Sequence, residues 1–352
     1  MRAAFFMYNK LWGSAETDDL SLNICYTFIT MIKAIILFAV GLVLLIKGGD
    51  WFVDGAVGIA HKFRLPEILI GATIVSIGTT LPEVMVSSGA ALSGHGQIAY
   101  GNAIGSIICN TSLVAALTMA IRPSSVDKKS LKTPVLFFFG AAVLYAFTAY
   151  VIKSYTRVVG IILLLVFAVY MILTVRQAIN NPVAEDEKKE EIEDEKPLWK
   201  NILLLVIGAA AIAFGARLLV NNGTIIAEEL GVPESVIGLT IVALGTSLPE
   251  FVTAIVSLIK GHSSLSVGNI IGANLFNLVL VSGMSITLSP FDLPAEKLVG
   301  GLNASLVIDI PLMFAVMLIM TVPPLVKGKL SRTQGIVLLA LYAAFCVFQF
   351  GF

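Results

Sequence analysis

Charge is scarce in this chain. Only 13% of its 352 residues are Asp, Glu, Lys or Arg, about half the share usual in soluble domains, so an ordinary water-facing surface is excluded. Cysteine and histidine are scarcer still. Cys25, Cys109 and Cys346, and His61, His95 and His262, fall at no ligand-like spacing; neither a disulfide framework nor a zinc site is indicated. Lys and Arg number 23 against 23 Asp and Glu, and no basic face of the kind that holds a polyanion results, so no nucleic-acid partner is expected.

What fills the chain instead is apolar: 57% of its residues are hydrophobic and the mean hydropathy is +0.92. Runs of about 17 to 25 apolar residues cross a bilayer as helix. Ten can be read, at 31–47, 66–92, 97–121, 134–152, 155–176, 199–220, 233–259, 266–289, 305–325 and 333–351. None alternates in polarity at every second residue, which excludes barrel strands. The expectation is an all-α polytopic membrane protein whose main partner is the lipid bilayer, with no obligate protein partner evident.

The chain is also duplicated. GATIVSIGTTLPE from Gly71 returns as GLTIVALGTSLPE from Gly238, and GNAIGSIICN from Gly101 returns as GNIIGANLFN from Gly268, both at an offset of 167 residues. The register holds from Lys33/Lys200 to Asn110/Asn277, so the repeat is about half the chain. Residues 31–176 and 199–352 form the two five-helix halves. An odd number of spans per half makes the second half enter the membrane inverted, as in many secondary transporters. With the amino terminus outside, sixteen of the 23 Lys and Arg face inward, which satisfies the positive-inside rule. Both termini then lie outside and the acidic linker 177–198, with EDEKKEEIEDEK from Glu185, lies in the cytoplasm. That linker cannot bury enough apolar area to fold. Residues 1–30 have no repeat partner and no clean signal pattern, and read as an extension, with Met31 the expected start.

Each repeat places a glutamate, Glu83 or Glu250, inside an apolar span. A carboxylate at that depth costs about 2.5–3.5 kcal/mol on insertion scales and normally faces an interior cavity. No Lys or Arg shares either span, so an ion pair does not explain them. Pro82 and Pro249 each remove a backbone donor and crowd the carbonyl four residues earlier, predicting helix breaks near Gly78–Thr79 and Gly245–Thr246. Thr79 and Glu83 share a helix face at i, i+4, as do Thr246 and Glu250. Ser76 lies one turn earlier. Asn102, Ser106 and Asn110 line one face of the next helix, and Asn269, Ala273 and Asn277 line its repeat. Carboxylate, hydroxyl, carboxamide and free carbonyl are hard oxygen donors suited to Ca²⁺. Two facing glutamates need a cation or a proton to offset their repulsion, which suits an exchanger. Gly101/Gly105 and Gly268/Gly272 read as close-packing positions. Thr80, Ser87, Ser88 and Thr253 are open between ligand and backbone-bonded hydroxyl. Asp50, Asp54 and Asp309 fall near helix ends and read as interfacial.

G-T-[TS]-L-P-E followed by G-N-x-I-G-[SA]-x-x-x-N, present twice over residues 33–351, resembles the α-repeats of the cation/Ca²⁺ exchanger superfamily, most closely its prokaryotic Na⁺/Ca²⁺ exchanger branch. The resemblance implies ten helices whose second, third, seventh and eighth hold the ions. The first and sixth would slide past them on glycine-bearing segments near Gly41–Gly49 and Gly208–Gly215. It implies Ca²⁺ on Glu83, Glu250, Thr79 and Thr246. It places Na⁺ at adjoining sites formed by Ser76, Thr80, Ser106, Asn110, Ala243, Ser247 and Asn277, with Ala243 offering only its carbonyl. It implies no cofactor and no enzymatic reaction. The chain departs from the archaeal pattern at Asn277, where that pattern has an acid, and at Ala273, where it has a serine.

The expected function is Ca²⁺ exchange against Na⁺ by alternating access, an electrogenic extrusion across a prokaryotic plasma membrane. H⁺/Ca²⁺ exchange is the alternative, although both copies keep the L-P-E form rather than the G-N-x-x-E form of H⁺ exchangers. K⁺ co-transport is a further alternative. A membrane-embedded hydrolase would call for paired aspartates, and a channel would leave the inverted duplication without a role.

Overall fold

The computed structural model describes residues 16–180, 197–230, 243–295 and 298–351. Ten helices follow in chain order: α1 Glu16–Lys62, α2 Glu67–Leu92, α3 Gly96–Ile121, α4 Lys128–Ile152, α5 Arg157–Asn180, α6 Leu198–Glu229, α7 Leu248–Ile259, α8 Ser263–Leu288, α9 Ser305–Lys327 and α10 Arg332–Gly351. Among the described residues nine are long and apolar enough to cross a membrane, and α7 is shorter. The span expected at 233–259 begins outside the described residues, as does most of the 177–198 linker. Residues 16–30, expected to be an extension, continue α1 as helix. Ile35, Ile36 and Val43 of α1 and Ile161, Leu165 and Ile172 of α5 point outward, as lipid-facing positions do.

The described residues fall into two compact units, one within 1–44 and 214–245, the other within 45–213 and 246–352. In the first, α1 meets α6 through glycine: a Cβ at Gly41 would sit 2.8 Å from the Gly215 carbonyl oxygen. In the second, the continuation of α1 meets α6 the same way, a Cβ at Gly48 falling 2.9 Å from that of Ala211 and one at Gly55 falling 2.5 Å from the Leu205 amide. Side chains are absent where the backbones touch, so the glycine-bearing segments do form close helix contacts. The helix runs well beyond the expected end at residue 47. Its polar continuation carries ion pairs from Lys260 to Asp50 at 3.4 Å and to Asp54 at 2.7 Å; both aspartates lie inside α1 rather than near its end, a correction to the helix-end position expected for them.

Two apolar clusters fill the second unit, one around Phe138, Tyr145, Tyr155 and Phe276, the other around Val114, Met119, Leu131 and Ile270. α4 starts at Lys128 because Asp127 caps it, accepting from the amides of Lys129 at 3.2 Å and Ser130 at 3.0 Å. Short antiparallel ladders join the helix ends: β1 Ser154–Tyr155 with β2 Phe291–Asp292, and β3 Leu298–Val299 with β4 Leu302–Asn303. No strand was expected; these two-residue pairs lie outside the spans and leave the helical class unchanged.

The duplication is visible in backbone conformation. Gly94 and Gly261 turn the chain with φ of +83° and +87°, values that favour glycine. His95 and His262 follow with φ/ψ of −100°/58° and −89°/55°. Regular helix then covers Gly96–Cys109 in one copy and Ser263–Phe276 in the other, and each gives way to a wide π-turn, Asn110–Ala115 and Asn277–Val281.

Candidate ion-binding site

α2 and α8 touch backbone to backbone. A Cβ at Gly268 would overlap Ile68, and one at Gly272 would overlap the Ser76 hydroxyl and fall 2.6 Å from the Cα of Ala72. Their reading as packing glycines holds. For Gly101 and Gly105 the same reading is corrected: among the described residues nothing lies within 4 Å of a Cβ at either, so no close helix contact requires glycine there. The contact brings the polar face of α8 against the start of the motif in α2, where residues Gly71–Val75 form a π-turn. Hydroxyls bracket that turn: Ser76 donates to the Gly71 carbonyl at 2.7 Å, and Tyr170 of α5 donates to the Ala72 carbonyl at 2.8 Å.

The two proline positions part company. Pro249 stands in the first turn of α7, after Ser247 with φ/ψ of −89°/4°, so the helix does break before Glu250. Pro82 lies inside the continuous α-helix Ser76–Leu92, and the break expected there is a correction. Proline costs one internal hydrogen bond and crowds the carbonyl of Gly78. Here the helix widens a turn and a half earlier, at Gly71–Val75, a form of distortion that π-turns supply without interruption.

Glu83 and Glu250 are both fully buried. Both oxygens of Glu83 and Oε2 of Glu250 have no hydrogen-bond partner, while Oε1 of Glu250 accepts a long bond, 3.5 Å, from Thr80. Asn110 and Asn277, at the start of the two π-turns, are buried with both amide atoms unpartnered, and the Ser247 hydroxyl is unpartnered as well. Buried polar groups are rarely left so. Here the orphans are carboxylate, carboxamide and hydroxyl oxygens, the donor set a hard cation takes, and α2, α3, α7 and α8 contain no Lys or Arg to neutralise them.

Hydroxyls elsewhere behave differently. Thr111 donates to the Ile107 carbonyl at 2.8 Å, Ser285 to Val281 at 2.8 Å and Thr321 to Met317 at 2.6 Å, each within its own helix. Thr79 instead reaches across to α8, with Asn269 Oδ1 at 3.2 Å; Ser76, which donates within its own helix to Gly71, also lies 3.3 Å from that oxygen. Asn269 has a place on the polar face in the sequence but no role there; the contact across helices is what sequence spacing could not give. Thr80 points to Glu250, which favours the ligand reading, whereas Ser87 accepts from Asn102 at 2.8 Å and does not join the carboxylates. Ser88 and Thr253 are unpartnered. Ser106 and Ala273 are buried, Thr246 is half-buried, and Ala243 opens the single turn Ala243–Thr246. A shallow groove lined by Phe52, Gly78, Thr79, Pro82, Ala209, Ile212, Ala213 and Pro249 reaches both motif prolines.

A bundle of membrane helices enclosing two uncompensated carboxylates and their amide and hydroxyl neighbours is the architecture of a cation carrier. The family model described as sodium/calcium exchanger protein matches residues 33–176 and 200–351, and the chain belongs to that family of membrane antiporters, which are not enzymes. It is 30% identical over 352 aligned residues to sodium/calcium exchanger MaX1 of Methanosarcina acetivorans, covering 90% of this chain and 98% of that protein. It is 34% identical to the putative antiporter CaxA of Alkalimonas amylolytica, covering 91% and 98%. Among solved structures it is similar to the sodium-calcium exchanger NCX_Mj, at 31% identity and a TM-score of 0.73, covering 89% of this chain and 98% of that one.

Proposed function

We propose that this chain exchanges Ca²⁺ against Na⁺ by alternating access, with Ca²⁺ held between Glu83 and Glu250 and completed by Thr79 and Thr246. The observation that carries the reading is the pair of fully buried carboxylates with three of four oxygens unpartnered. Such a pair repels itself unless a cation or protons offset the charge. Competition between one divalent cargo and monovalent cations for the same oxygens is what makes exchange obligatory. Na⁺ takes the adjoining oxygens of Ser76, Thr80, Ser106, Asn110, Ser247 and Asn277 and the carbonyl of Ala243.

Alternating access follows from two inverted five-helix repeats, 31–176 and 199–352, of which α2, α3, α7 and α8 hold the ions while α1 and α6 slide on their glycine contacts. Both termini lie outside a prokaryotic plasma membrane, and the acidic linker lies in the cytoplasm. In this orientation the net movement of charge drives electrogenic Ca²⁺ extrusion. Asn277 and Ala273 favour a second reading, coupling to H⁺, because each removes an oxygen or charge from the Na⁺ set.

The test is uptake of radiolabelled Ca²⁺ into proteoliposomes loaded with Na⁺, with K⁺, or with an acidic lumen, at clamped voltage. Uptake driven by the outward Na⁺ gradient alone is expected. Uptake driven by the proton gradient alone would replace Na⁺ with H⁺ as the coupling ion, and steady flux with no counter-ion would make the protein a channel.

A further inference from the structure

We propose that Asn269 is a positioning residue for the Ca²⁺ ligand Thr79: its side-chain oxygen takes the Thr79 hydroxyl proton, so that the lone pairs of that hydroxyl face the cation. The inference rests on the Ca²⁺ site described above and deepens it. A hydroxyl carries one proton and two lone pairs, and a proton aimed at a cation repels it. Threonines inside helices ordinarily give that proton to a carbonyl of their own helix, as Thr111 does at 2.8 Å. Thr79 is badly placed to do so. Its own-helix acceptor, the Ser76 carbonyl, is 3.4 Å away, whereas Asn269 Oδ1 on α8 is 3.2 Å away; the Glu250 carboxylate also lies within hydrogen-bonding reach of Thr79, and a cation bound there takes that carboxylate and leaves Asn269 as the acceptor.

Asn269 is itself held in place. Its backbone carbonyl lies 2.9 Å from the Ser76 hydroxyl, whose single proton it shares with the Gly71 carbonyl at 2.7 Å, and the glycines at 268 and 272 bring this stretch of α8 against α2. Its amide nitrogen is buried without a hydrogen-bond partner. Packing alone would be served better by leucine at that position; a carboxamide kept there with an orphan donor is explained by what its oxygen does. The repeat-equivalent residue provides the contrast. Asn102 gives its amide to Ser87 at 2.8 Å and is half-buried, whereas Asn269 is fully buried.

The experiment measures half-saturating Ca²⁺ and maximal rate for Na⁺-driven uptake in proteoliposomes. Asn269→Leu, which keeps the volume and removes the acceptor, is expected to raise half-saturating Ca²⁺ about tenfold, and Asn269→Asp, which keeps the oxygen, to recover most of that loss. Because Asn269 acts through Thr79, Asn269→Leu on a Thr79→Ala background should add little, the non-additivity expected of coupled neighbours. Should Asn269→Leu fail to fold, Asn269→Ser, too short to reach Thr79, carries the same expectation. Full additivity in the Thr79 cycle, or a change in maximal rate with half-saturation untouched, overturns the proposal. Glu250→Gln in the same assay separates the two levels: retained transport there removes the Ca²⁺ site itself, while lost transport there with unaffected Asn269 variants removes only the positioning role.

Discussion

The two motif copies are nearly identical in sequence, yet they hold their glutamates differently. Glu83 sits mid-helix in α2, behind an uninterrupted run from Ser76, whereas Glu250 sits in the first turn of α7, after a break at Ser247. A helix N-terminus presents free amides and a partial positive charge that favour a carboxylate. Glu250 therefore has local support from its own backbone, while Glu83 depends more on what the cavity holds. The hydroxyls are unequal as well. The first repeat has Ser76 and Ser106 where the second has Ala243 and Ala273. A duplicated motif thus builds a site with a hydroxyl-rich half and a hydroxyl-poor half, and duplication of sequence does not imply two equal binding positions.

The largest effect that could break this comparison is expected at the glutamates. Glu83→Gln and Glu250→Gln should each lower Ca²⁺ transport on the order of a hundredfold, about 2.7 kcal/mol of cation binding. Protein yield in detergent should change little, since removing a buried charge relieves its desolvation. If only one of the two variants loses transport, the site does not lie between the repeats. Next comes packing. Gly268→Val forces a side chain into the backbone of α2 and should cost about 1–3 kcal/mol, read as a lower thermal midpoint in detergent, whereas Gly101→Val should cost less. Equal losses would mean that α3 has a tight partner outside the described residues.

A smaller change sharpens the hydroxyl comparison. Ala273→Ser restores to the second half the hydroxyl that Ser106 gives the first, and should lower the Na⁺ needed for half-maximal exchange by about two- to tenfold, the worth of one net hydrogen-bonding group. Unchanged Na⁺ dependence would show that backbone or water already fills that place.

The smallest expected effect concerns helix starts. α4 is capped by Asp127, which accepts from two amides and a hydroxyl, while at the start of its counterpart α9 the neutral Asn303 accepts from one amide, that of Ser305, at 2.8 Å. Asp127→Ala should cost about 1 kcal/mol. Partial burial pushes the Asp127 carboxyl up, but hydrogen bonds from the Ser130 hydroxyl and amide and from the Lys129 amide outweigh it and hold the group below its usual range. A carboxyl depressed in the folded state stabilises above its unfolded value and loses that contribution as the pH falls through the folded one. The stability gap between the native chain and Asp127→Ala should therefore close below about pH 4; a gap constant with pH would deny the cap its charge.

Much of this was legible in sequence because the membrane leaves few options. Apolar runs anticipated most of the helices among the described residues, and two carboxylates with no basic residue in their helices marked the candidate site. What escaped were the features that depend on a neighbouring helix. α1 runs past its apolar segment because Lys260, distant in sequence, pairs with Asp50 and Asp54. Pro82 does not break α2, which continues as regular helix from Ser76 to Leu92 after a π-turn at Gly71–Val75 whose carbonyls meet Ser76 and Tyr170. Asn269 could be placed on a polar face by its spacing, but only the glycine contact of α8 with α2 reveals which hydroxyls it meets.

The most direct test of the central claim is equilibrium binding of radiolabelled Ca²⁺ to the purified protein in detergent, with Na⁺ titrated against it at constant pH and ionic strength. One shared buried site predicts that Na⁺ displaces Ca²⁺ with a Hill slope above one and that neither Glu83→Gln nor Glu250→Gln binds Ca²⁺ measurably. Ca²⁺ that stays bound at saturating Na⁺, or that leaves only when the pH is lowered, would contradict it.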